Sequence, residues 1–190
     1  KPVKTIKQAI HLAKPGDTIL VGKGIYKEGN IIIDKKVIFI GKEFPVLDGE
    51  KKHEILSIKA DSVKVEGFKI INSGYASLTD PCGIKVYNKS DVVIQNNILD
   101  DNFFGIYIQQ GLRCIVKNNK IKAYGTEEQR IGNGIHCWKS EELQITGNTV
   151  AGHRDGIYFE FVSNSVIWRN ISTKNIRYGL HFMFSNDDAY

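Results

Sequence analysis

Cysteine, proline, methionine and tryptophan are scarce in this chain: its 190 residues hold three Cys, four Pro, one Met and two Trp. Cys82, Cys114 and Cys137 stand far apart, with no CxxC pair and no zinc spacing. Their odd number excludes complete intramolecular pairing. All three are expected to be free thiols without a catalytic role, Cys114 and Cys137 in the core and Cys82 in a turn. No apolar run is long enough to span a bilayer, which excludes direct membrane insertion by a helix. No signal peptide opens the sequence, so an exported form would carry its signal outside it. Dense basic blocks are missing too. The net charge is +5 and the pI about 9.0, but the lysines are scattered, which argues against nucleic acid and for a solvated surface with some preference for acidic partners. Hydrophobic residues make up 42%, enough for a sizeable core in one domain.

What is present is a repeat. The segments GIKVY, GIYIQ, GIHCW, GIYFE and GLHFM begin at Gly83, Gly105, Gly134, Gly156 and Gly179, at spacings of 22, 29, 22 and 23 residues. The long spacing contains an insertion within AYGTEEQRIGN. Asn97, Asn119, Asn148 and Asn170 each fall 14 residues after one of the first four glycines. Between these markers lie short runs rich in Val and Ile that alternate apolar with polar residues, such as VVIQNNIL and LQITGNTV. Runs this short make strands, not helices. Two or three short strands in about 22 residues describe one coil of a right-handed, single-stranded parallel β-helix, an all-β fold whose asparagines stack at matching turns. A leucine-rich repeat shares the period, but leucine is too rare and the asparagine offset is wrong. The strand-type alternation excludes an α-solenoid.

Upstream, ILSIKADSVKVEGFKII reads as an earlier coil, with Gly67–Phe68 in the place of Asn96–Asn97, and residues 17–49 as about two further rungs. The opening KTIKQAIHLAKPGD has Ile6, Ala9, Ile10 and Ala13 at helical spacing before Pro15–Gly16. Residues 1–16 therefore read as a capping segment with a short helix, and residues 17–190 as the coils of a single domain. The last repeat is cut short, so a longer protein with further coils is expected.

Side chains alternate along a strand. One and three places after each glycine stand apolar residues, from Ile84/Val86 to Leu180/Phe182, which face inward. The places between face outward: Lys85/Tyr87, Tyr107/Gln109, His136/Trp138, Tyr158/Glu160 and His181/Met183. Neighbouring rungs lie about 4.8 Å apart, so Tyr158 is expected between His136 and His181, and Glu160 between Trp138 and Met183. These six predict a compact exposed patch, a candidate partner or ligand surface extended by Tyr107, unless the insertion covers it. His181 with Met183, and Glu160 beside them, offer a soft donor set suited to Cu(I). His136 stands two rungs from His181, long for joint ligation. Arg154 and Arg177 occupy the same turn in successive coils, where Asp155 can pair with either, and both can take a partner's carboxylate. His11, His53 and His153 have no evident ligand partner.

The stretches KPGDTILVGKGIYKEG, PVLDG, GNGIHCW, RDGIYFEF and RYGLHFMFSN together resemble the NosD family, over nearly the whole chain. The last three in this order are the specific ones. The resemblance implies a non-catalytic periplasmic accessory protein for maturation of the copper centre of nitrous oxide reductase. It implies copper as the metal, and an ABC-type ATPase and permease and a copper chaperone lipoprotein as partners alongside the reductase; the patch read from strand alternation is compatible with copper, with His181, Met183, Glu160 and His136 as its candidate metal contacts. Docking would then fall to Trp138, Tyr158, Tyr107, Arg154 and Arg177. The alternative reading is a polysaccharide-binding or polysaccharide-modifying β-helix protein, lyase-like or epimerase-like. Such chemistry uses clustered acids, whereas Glu160 is the one carboxylate at these outer positions, and TDPCG at 79–83 lacks the second aspartate of an epimerase-type DPxD.

Overall fold

Isoleucine or valine fills the buried middle of most short runs, and each run is a strand of two to six residues. The computed structural model describes residues 2–75 and 80–190; Thr79 of the TDPCG stretch lies outside them. The strands form three sheets of seven. The first sheet extends from Thr18–Val21 to Val166–Trp168, the second from Ile25–Tyr26 to Ile171–Thr173, and the third from Ile31–Ile33 to Leu180–Met183. Consecutive strands go to consecutive sheets, and each pairs in parallel with its counterpart one coil away. This is the right-handed parallel β-helix that the repeat predicts. Its core is a column of inward residues, among them Phe39, Phe68, Ile84, Ile94, Ile106, Val116, Ile135, Ile145 and Phe159.

The corner between the first and second sheets shows why asparagine recurs. Gly67, Asn96, Asn118, Gly147 and Arg169 all have positive φ, between 54° and 80°, where glycine and asparagine are best tolerated. At Gly67 a Cβ would also meet the Gly41 carbonyl oxygen at 2.4 Å. The following residue turns inward. Asn97 donates through Nδ2 to Asn119 Oδ1 at 3.1 Å, Asn119 to Asn148 at 3.0 Å, and Asn148 to Asn170 at 2.9 Å. The same oxygens accept the backbone N–H of the preceding coil's asparagine. Upstream the ladder ends on Phe68, whose N–H donates to Asn97 Oδ1 and whose ring stacks on Phe39. Asn119 is buried in mid-ladder. Asn119→Leu leaves the Asn97 N–H and Nδ2 without their shared acceptor and takes one donor each from the Ile94 carbonyl and Asn148 Oδ1, and is expected to destabilise the protein by roughly 2–4 kcal/mol in urea denaturation. Asn170→Leu, at the more exposed end, is expected to cost clearly less; equal effects would mean that the ladder does not work as a buried chain.

The N-terminal helix is Ile6–Leu12. Thr5 Oγ1 accepts from the Gln8 N–H, and Glu28 accepts from the N–H groups of Ile6 and Lys7, so the free donors of the first turn are satisfied. At the other end Lys35 Nζ donates to the carbonyls of Ile10, His11 and Ala13. Ile6 and Ile10 face the core and cover its first rung.

The long spacing between Gly105 and Gly134 reflects a strap, residues 124–133, between the second and third sheets. The strap holds one short 3₁₀ turn, Glu128–Arg130. The ladders on either side keep register, with Ile121 opposite Val150 and Ile106 opposite Ile135.

Candidate docking and metal face

The outer wall of the third sheet carries the residues singled out in the sequence. Its register is the expected one: His136 pairs with Tyr158 and Tyr158 with His181, while Trp138 pairs with Glu160 and Glu160 with Met183. The expected exposure is not. Tyr107, His136 and Tyr158 are each more than nine-tenths buried, so the patch is not open as a whole. Phe103 and Phe104, in DNFFG, fold over the wall: Phe104 meets Tyr107 at 5.7 Å and His136 at 5.4 Å between ring centroids. Gly132 of the strap lies against the Phe104 ring, where a Cβ would come within 2.8 Å of it. Trp138 and Glu160 remain half-buried and Met183 exposed. Cys82 is likewise not in a turn. It opens the strand Cys82–Tyr87 and is buried against Phe104 and Tyr107. All three thiols are free and buried; burial pushes Cys82 and Cys137 well up and Cys114 to about 11, so none is a ready thiolate.

Behind the wall sits a charged knot. Asp155 is fully buried, and its oxygens accept from Arg177 Nε at 3.1 Å and Nη2 at 2.6 Å, from the Tyr178 N–H at 3.3 Å, and lie 3.2 Å from His181 Nδ1. Burial alone would raise its pKa, but the arginine fork and the imidazole together hold the carboxyl below the usual range. Arg177 Nη1 also reaches Glu128 of the strap at 2.7 Å. Of the two stacked arginines, therefore, Arg177 takes Asp155. Arg154 instead donates through Nε to Asn133 Oδ1 at 3.3 Å. Arg130 pairs with Glu127 within the strap.

His136 is held from the same side. Asn133 Nδ2 approaches its Nδ1 at 3.3 Å, which sets the proton of the neutral ring on Nε2. Among the described residues that Nε2 has no hydrogen-bond partner, and Glu160 Oε2 lies 3.8 Å away. Burial, reinforced by Arg154 and Lys85, pulls the imidazole down to about 3. His153 lies beneath the strap with Nδ1 on the Gly132 carbonyl, and burial takes it down to about 4. Asn133 and the Phe103–Phe104 pair were not candidates in the sequence. The second apolar residue directly before Gly105 was the available signal.

The expected metal donors do not converge. Tyr158 stands between His136 and His181, its ring 4.9 Å from one and 4.7 Å from the other. His181 Nδ1 is turned to Asp155, and Met183 Sδ accepts a hydrogen bond from the Tyr158 hydroxyl at 3.2 Å. Among the described residues no three His, Cys, Asp or Glu side chains form a group able to hold a metal ion. The donor set does not fit a resident copper chelate.

A family model described as "Periplasmic copper-binding protein (NosD)" matches residues 10–189. The chain belongs to the NosD family. A NosD relative from Pseudomonas aeruginosa (strain ATCC 15692), "Probable ABC transporter binding protein NosD", is 30% identical over 131 residues. The alignment covers 67% of this chain and 30% of that protein, so the chain spans about a third of the relative's length. Among solved structures, a pectin methylesterase in complex with a hexasaccharide superposes with a TM-score of 0.50 over 88% of this chain and 51% of its own, at 14% identity. That likeness shows the β-helix fold which this chain shares with it, and no more. No helix among the described residues is long and apolar enough to cross a membrane.

Proposed function

We propose that this chain is part of a periplasmic accessory protein that serves maturation of the copper centre of nitrous oxide reductase by docking partners rather than by catalysis. The partners are the reductase, an ABC-type ATPase and permease, and a copper chaperone lipoprotein. The observation that carries the reading is the family match across residues 10–189, and the relative's printed name adds the link to an ABC transporter. The docking face is the open margin of the third sheet's outer wall, where Trp138, Glu160 and Met183 stand side by side. Tyr107 and Tyr158 support it from beneath, and Arg154 borders it. Arg177 is committed to Asp155 and Glu128 and serves to fix the strap. Copper passes between partners held there; Met183 and Glu160 are the donors placed to touch it in transit, and His181 and His136 hold the wall in shape.

The test is maturation in cells. Reductase made alongside the full-length protein carrying Trp138→Ala and Met183→Ala is expected to contain several-fold less copper, with the variant's abundance unchanged. A normally loaded reductase would overturn the docking face. In parallel, the isolated chain titrated with Cu(I) against a chromophoric chelator is expected to show no tight stoichiometric uptake. Tight uptake that is lost in the His181→Ala, Met183→Ala variant would make this segment a copper carrier instead.

A further inference from the structure

Away from that face, the early coils carry a polar cleft of about 300 Å³ on the same wall. It is lined by Asn30, Lys52, Glu54, Ser57, Lys59, Tyr75 and Tyr87, with Gly74 and Pro81. Its floor is an ordered network. Tyr87 donates its hydroxyl to both oxygens of Glu54 at 2.9 and 3.0 Å, and Ser57 donates to the same carboxylate. Asn30 Nδ2 donates to Ser57 Oγ at 2.8 Å and to the Glu54 carbonyl at 3.1 Å. Both amide protons are thereby used, and the Asn30 Oδ1 stays open as an acceptor among the described residues.

Positive charge gathers around this floor. Lys59 Nζ and Lys85 Nζ both lie near the Tyr87 ring, 5.1 and 5.0 Å from its centroid, and Lys85 also sits 4.6 Å from the Tyr107 ring. Lys85, one rung beyond Ser57, is only 7% exposed. A lysine that deep is normally paired with an acid. Yet none of Lys52, Lys59 and Lys85 makes a salt bridge among the described residues, whereas the other ion pairs of the chain are closed locally. Glu54 is the single acid lining the cleft. The surplus is cationic, and it sits beside two tyrosine rings and the open Asn30 oxygen.

We propose that this cleft binds a sugar acid, one carboxylate-bearing pyranose ring. The ammonium groups of Lys59 and Lys52 hold the carboxylate, with Lys85 adding its field from behind. The Asn30 oxygen and Glu54 accept from ring hydroxyls, and Tyr75 offers an apolar face to the ring. The volume is at the small end for ligand sites, which suits one ring rather than a bound oligomer. Lysine reads charge without geometry, so the selectivity over a bare anion has to come from the hydroxyl acceptors and the Tyr75 face.

The experiment titrates the chain with galacturonate, with galactose as the same ring without the charge, and with inorganic phosphate as charge without the ring, following tyrosine and lysine signals by NMR. Saturable binding is expected for galacturonate alone, weakened by added salt. Lys59→Gln, at an exposed position, is expected to weaken it roughly tenfold, the loss of one charge-assisted contact. Tyr87→Phe releases Glu54 and is expected to weaken it as well. Equal response to phosphate would reduce the cleft to a non-specific basic cluster. No response to galacturonate, or an unchanged Lys59→Gln, would also overturn the proposal. None of these outcomes bears on copper-centre maturation, which rests on other residues.

Discussion

Asp155→Ala is expected to destabilise the chain by roughly 2–4 kcal/mol, because it removes the acceptor at the centre of the knot behind the outer wall. The carboxylate is fully buried, and four donors or potential donors converge on it from Arg177, Tyr178 and His181. Removing it strips Arg177, whose side chain is about one-third exposed, of its two-pronged partner, and leaves the Tyr178 N–H and His181 without their acceptor. The damage should reach both the last coil and the strap, because Arg177 joins the two. Asp155→Asn keeps an oxygen to accept from Arg177 and should fall well short of the alanine variant. Urea denaturation of both variants checks this. A loss under about 1 kcal/mol for alanine would class the pair with ordinary surface ion pairs.

Acid is expected to weaken the fold well above the carboxylate range. His136 and His153 titrate near 6.5 in the unfolded chain, but only near 3 and 4 once buried. Below about pH 6.5 the unfolded state therefore takes up two protons that the folded state refuses, and stability falls as pH falls until the folded values are reached. At pH 5 each histidine accounts for roughly 2 kcal/mol. The depressed Asp155 adds to the loss only lower, as pH falls through the carboxylate range. Asp188, raised by burial, works the other way there. Denaturation midpoints at pH 7.5 and pH 5.0 test this directly. A His136→Gln, His153→Gln variant should flatten the difference, and a wild-type curve unchanged between the two values would show that the rings are not sealed.

The coil was legible because its markers are local. Glycine at the start of the five later third-sheet strands and asparagine at the first corner of four coils answer backbone demands that these coils share, so they recur at fixed offsets. The register of His136, Tyr158 and His181 followed from strand alternation and nothing else. The burial of those residues did not. It depends on where Phe103, Phe104 and the strap come to rest, and these contacts join parts of the chain that share no period. Cys82 was misplaced for the same reason. The strand into Gly83 starts before the glycine, and Phe104 closes over it. The choice of Arg177 over Arg154 by Asp155 was equally hidden, since the two arginines occupy equivalent places in the sequence and differ only in what the strap puts opposite them: Glu128 for one, Asn133 for the other.

The strap lengthens one coil from 22 residues to 29 between glycines, yet the rungs beside it remain in step. Height along the axis is thus counted in rungs, while contour length is absorbed at a corner. Insertions and deletions at that corner alter which stretch of wall is roofed and which is bare, without shifting any strand above or below. The scaffold can in this way be re-tailored coil by coil, its surface drifting while its pitch stays constant.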